Sequence, residues 1–77
     1  MNKARRKEIT KIRERLEDAM SDLTDIHDEE QDCLDNLPES LQESERGEEM
    51  AEYIEYLDDA LDSLGDAIDG LADENYE

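Results

Sequence analysis

The stretch DIHDEEQDC, residues 25–33, gathers the chain's single histidine and single cysteine among five carboxylates. These are metal-ligand types, and a His–Cys pair is also the raw material of nucleophilic catalysis. The spacing argues against both. A di-iron helix bundle carries Glu three residues before its His, and here that place is Thr24, while Ile26 and Cys33 fall into an apolar repeat. One His and one Cys six residues apart on one helix, with no glycine-rich phosphate loop, assemble no catalytic constellation. A second candidate, DSLGDAIDG at 62–70, has the Asp and Gly of a calcium loop but lacks the alternating ligands and the closing Glu at the twelfth position. No cofactor, metal site or catalytic residue is expected, and the protein reads as non-enzymatic.

The remaining chemistry is charge. Asp and Glu number 26 against 8 Lys and Arg, a net −18 that opposes binding to nucleic acid or to an anionic membrane and suits a basic protein surface. With no Trp, no Phe and 44% charged residues, composition alone would allow disorder, so periodicity must decide. The basic start MNKARRKEITKIRER has no continuous apolar run, and no stretch approaches the roughly 20 apolar residues of a membrane helix. One cysteine closes no internal disulfide. A reducing, cytoplasmic setting is expected.

Periodicity gives two helices in one domain, residues 1–77. Ile9, Ile12, Leu16, Ala19, Leu23, Ile26, Glu30 and Cys33 alternate in steps of three and four, which predicts a helix over about 3–35. Met50, Ile54, Leu57, Leu61, Leu64, Ile68 and Leu71 repeat the alternation, which predicts a second helix over about 38–74 that frays in DENYE. An antiparallel hairpin in which facing position numbers add to 73 pairs Ile9 with Leu64, Ile12 with Leu61, Leu16 with Leu57, Ala19 with Ile54 and Leu23 with Met50. Its turn centre falls between Asn36 and Leu37, just before Pro38, where Asn tolerates a left-handed helix end and Pro suits a new first turn. Asn36 with Glu39, or Ser40 with Glu43, could form a capping box. Gly47 then lies inside the second helix, and a break around Ser44 to Gly47 is the competing reading. The fold expected is all-α, an antiparallel helical hairpin. Tyr53, Ala60 and Ala67 beside one seam, with Met20 and Leu34 beside the other, widen the apolar stripes enough to predict a homodimer forming a four-helix bundle.

In that register the basic segment Lys3–Arg15, net +5, lies beside Asp58, Asp59, Asp62, Asp66 and Asp69 as an internal clasp, and the loop end from Leu16 to Leu57 carries net −15. Helix rise turns this into roughly one net negative charge per 2 Å. Duplex DNA has one per about 1.7 Å. The candidate partner contacts are Asp18, Asp22, Asp25, Asp28, Glu29 and Asp32 on the first helix and Glu48, Glu49, Glu52 and Glu55 on the second. Tyr56, facing away from the seam, joins them as an aromatic anchor.

NLPESLQESERGEEM, followed by the YLDDALDSLGDAIDGL repeat, resembles small acidic, mostly uncharacterised helical proteins of bacteriophages and mobile elements of Gram-positive gut bacteria. The resemblance carries no site residues. It implies a bacterial host and the context of defence inhibitors, anti-restriction or anti-CRISPR proteins among them. The expected function is an acidic protein that occupies a basic nucleic-acid-binding groove of a host defence protein. The alternative is a structural or assembly bundle acting through apolar contacts that include Tyr53 and Tyr56.

Overall fold

Asn2 starts the first helix: its Oδ1 accepts a hydrogen bond from the Arg5 amide at 2.8 Å, satisfying one of the free donors of the first turn. The computed structural model describes all 77 residues, and all of its regular secondary structure is helical. Helix α1 spans Lys3–Asp35, the one-turn α2 spans Glu39–Gln42, α3 spans Glu45–Gly70, and a 3₁₀ turn covers Asp73–Tyr76. Helices α1 and α3 pack against each other as a rod of 58 × 15 × 14 Å. None of the helices is long and apolar enough to cross a membrane.

The connection differs from the tight turn the seams suggest. Asn36 sits at φ −86° and ψ −5°, an ordinary right-handed conformation, and no residue has positive φ. Neither expected capping box closes α2, whose N-cap is Pro38 without a side-chain bond. Instead Gln42 Nε2 donates to the Leu37 carbonyl at 2.9 Å, tying the short helix back across the turn. The second helix is therefore broken, as the competing reading has it. Ser44 caps α3 by accepting from the Gly47 amide at 3.4 Å, and its hydroxyl donates to the Leu41 carbonyl. Gly47 is buried against this corner, and a Cβ there would overlap the Gln42 backbone carbonyl. A side chain at 47 would push α2 off α3.

The longer connection changes the register. His27 meets Asp58, Thr10 bonds to Asp73, and Met20 lies beside Gly65, so facing numbers add to 83–85 rather than 73. Arg13 also turns inward, ahead of Ile12, and the α1 seam becomes Ile9, Arg13, Leu16, Met20, Leu23, His27, Glu30 and Leu34, all partly covered. Ile12 and Ile26, expected in the seam, are 46% and 55% exposed, and Ala19 and Cys33 are exposed with them. The α3 seam is the expected one. The error in α1 has a physical cause: Met20 and Leu34 on one side of the stripe compete with Ile12, Ala19, Ile26 and Cys33 on the other, and the polar residues between them hide which side faces α3.

The tail does not fray. Asn75 Nδ2 donates to the carbonyls of Asp69 and Gly70, and the Tyr76 hydroxyl to Gly70, at 2.7–3.3 Å, so the 3₁₀ turn closes the end of α3 where the helix leaves carbonyls free. Thr10 Oγ1 then donates to Asp73 Oδ1 at 2.9 Å and pins the turn to α1.

The core is thin. Met50, Ile54 and Ile68 are the buried apolar side chains, and α1 buries none. At about 1.5–3 kcal/mol for each fully buried side chain, three give little against the entropy of ordering two long helices.

Candidate functional site

Each residue immediately before a position of the inner seam row lies about 100° back around its helix, and each residue immediately after lies as far forward. In an antiparallel pair, turning the same way on both helices reaches the same side of the rod. The residues before Arg13, Met20, His27 and Leu34 are Ile12, Ala19, Ile26 and Cys33; those before Ile54, Leu61 and Ile68 are Tyr53, Ala60 and Ala67. All seven are exposed, and together they form one apolar flank along the rod. The residues after the same positions are Glu14, Ser21, Asp28 and Asp35 on α1 and Glu55, Asp62 and Asp69 on α3, the acidic flank.

This geometry divides the candidate contacts. Asp28, Glu48 and Glu55 lie on the acidic flank. Asp18, Asp25 and Asp32 run at seven-residue spacing along the outer edge of α1, with Glu52 on the outer edge of α3. Asp22, Glu29, Glu49 and Tyr56 border the apolar flank. Every one is exposed, but they encircle the rod rather than converge on a single patch. In the observed register Asp18 and Asp22 stand level with Asp66 and Asp62, toward the middle of the rod and away from its tip. Tyr56 is 62% exposed, and its hydroxyl donates to Glu52 Oε1 at 2.7 Å. That bond, with the Glu52 charge behind it, raises the phenol pKa above its usual value.

The acidic flank holds the one cross-helix ion contact. His27 has a side chain only 18% exposed; its Nδ1 lies 3.1 Å from Asp28 Oδ1, and its Nε2 2.7 Å from Asp58 Oδ1, outside hydrogen-bond alignment. The hydrogen bond with Asp28 raises the imidazole pKa most, burial works against it, and Asp58 adds to the rise. The signal for this contact lay in the sequence, since His27 falls one residue from Ile26 and so on the seam once the stripe is rotated. No group of three His, Cys, Asp or Glu side chains converges as metal ligands.

The clasp of basic segment against five aspartates is not formed. In the observed register Lys3–Arg15 stands beside Asp69 and the 3₁₀ turn, and the segment's one ion pair is Arg13 with Glu17 at 3.3 Å, within α1. Lys3, Arg5, Lys7, Lys11 and Arg15 are exposed and unpaired. The shift also moves charge. The part of the rod from Leu16 to Ile68 carries 20 acidic residues against Arg46 alone. Subtracting roughly 20 Å for Lys3–Arg15 at 1.5 Å per residue from the 58 Å rod leaves about 38 Å for a net charge of −19. The density is again about one charge per 2 Å, near the 1.7 Å of duplex DNA.

No family model, curated protein or solved structure matches the chain.

Proposed function

We propose that the protein is a non-enzymatic acidic binding module: two copies pair into a four-helix bundle, and its carboxylates occupy a basic nucleic-acid-binding groove of another protein. The carrying observation is the uncompensated run of exposed carboxylates from Leu16 to Ile68, at an axial density close to that of duplex DNA. Such a rod attracts a basic groove over a Debye length, and its encircling charges, like phosphates, need no single docking face. The self-repulsion of so many carboxylates weakens the fold, which favours a use for them. Likeness to phage and mobile-element proteins directs the search for the groove to host defence proteins, including restriction and CRISPR effectors.

The test uses the intact protein as bait on a bacterial host lysate at low and high salt. The captured protein should release as salt rises and be displaced by competing duplex DNA. Reversing Asp28, Glu29, Glu52 and Glu55 to Lys should lower affinity by roughly 100-fold or more, on the scale of several charge contacts. Capture that is indifferent to salt and to these reversals would refute the mimic. It would support the assembly reading, which the exposure of Ile12, Ile26 and Tyr53 favours.

A further inference from the structure

We infer that the two hairpins pair face to face through their apolar flanks with loop ends at opposite ends of the dimer, α1 against α1 and α3 against α3. The inference rests on the pairing proposed above and adds its face, its axis and its register.

Area leaves room for a cover. A compact monomer of 8.9 kDa should expose about 4,800 Å². This chain exposes 5866 Å², an excess on the order of 1,000 Å², and stable interfaces bury about 600–1,000 Å² on each partner. A second copy of the same flank fits that excess.

Shape sets the axis. The α1 row from Ile12 to Cys33 is centred between Asp22 and Leu23, and the α3 row from Tyr53 to Ala67 on Ala60. The observed register puts these two centres at the same height to within about 2–3 Å. A twofold axis lying across both helices there sets Ile12 against Cys33 of the second copy, Ala19 against its Ile26, and Tyr53 against its Ala67. Large meets small in these three pairings, and on the axis Ala60 meets its own copy, small against small, where the two α3 backbones come closest.

Charge chooses between the two ways of stacking such faces. Helix α1 has no acidic residue in its first turn and no basic residue in its last, so its cations crowd the positive end of its own dipole and its anions the negative end. Nothing within the hairpin repays this, because the basic segment forms no ion pair with α3 or the tail. Against a reversed second α1, the +5 segment meets the acidic C-terminal half of its twin, with Arg15 across from Glu29 and Glu30. Stacking with loop ends together would press two regions of −19 into one bundle.

Three measurements on the full chain decide it. Sedimentation equilibrium should give a dimer, and a monomer at all concentrations would overturn the pairing itself. With Cys33→Ser and exposed Ser40→Cys carrying spin labels, the label separation should be about 40 Å or more, from 1.5 Å per residue on each side of the axis. A dimer with labels closer than about 30 Å would overturn the orientation while leaving the pairing intact. Finally, Ile12→Cys with native Cys33 should give covalent dimers with a short bis-maleimide cross-linker, although within one chain the two positions lie about 31 Å apart. The wild type, with Cys33 alone, should stay unlinked, and efficient linking of the wild type would again overturn the orientation.

Discussion

The two flanks of the rod are made by the same two helices at the same heptad spacing, and their residues are comparably exposed, yet their chemistry is opposite. Ile12, Ile26 and Tyr53, 46–55% exposed, line one flank with small alanines and Cys33 between them. Asp28, Glu55, Asp58 and Asp62 line the other, with His27 reaching out of the seam to two of them. The apolar flank gains by losing water and the acidic one by keeping it, so a single hairpin offers a face for its twin and a charged perimeter for a partner. What separates them is one residue's turn to either side of the seam.

The largest effect should come from charging the apolar flank. Ile26→Asp should raise the dimer dissociation constant by at least about 100-fold in sedimentation, because a twofold interface buries the change twice and each loses about 1.5–3 kcal/mol of apolar burial. An unchanged dimer would mean that this flank is not the interface.

Next is the corner that fixes which residues lie on which flank. Gly47→Ala should destabilise by about 1–3 kcal/mol in urea unfolding, since the added methyl overlaps the Gln42 carbonyl and backbone must move. Gly65→Ala, on the acidic side of α3, should do the reverse and stabilise by about 0.5–1 kcal/mol. Its Cβ meets only Met20 Cε at 3.8 Å, and alanine holds helix better than glycine. If both substitutions behave alike, the α2 corner is not as described.

The smallest effect sharpens the acidic flank. Because the folded-state pKa of His27 is raised, its stabilising contribution is fully present below the ordinary value of 6.5 and fades as pH rises through the folded pKa. The stability difference between wild type and His27→Gln should therefore be greatest near pH 6 and fall to a constant, pH-independent remainder at alkaline pH. The carboxylates titrate in both proteins and cancel in the difference. A difference constant with pH would place His27 outside the Asp28–Asp58 contact.

Much of the fold was legible in the sequence. Two helical periods, the α1 end ahead of Pro38 and the whole α3 seam follow from the spacing of apolar residues and from proline chemistry. The α1 seam was not, because a stripe flanked by Met20 and Leu34 on one side and Ile12, Ala19 and Ile26 on the other has two faces of similar hydrophobicity. Arg13, His27 and Glu30 sit on the chosen one. The docked tail was also hidden, since DENYE has no apolar repeat and is held by hydrogen bonds to backbone groups that exist only once α3 has ended.

Charge and helical period are properties of the chain alone: each residue contributes its charge wherever it lies, and a 3.6-residue helix fixes which side chains share a face. Register belongs to the tertiary structure. It depends on how far the chain travels before it returns, and a nine-residue connection with α2 wedged over Gly47 slides α3 by about 10–12 residues along α1, the difference between facing sums of 83–85 and the 73 that the seams alone imply. That slide set His27 against Asp58 and the basic segment against the tail. With the rotation of α1, it left Ile12, Ala19 and Ile26 facing outward.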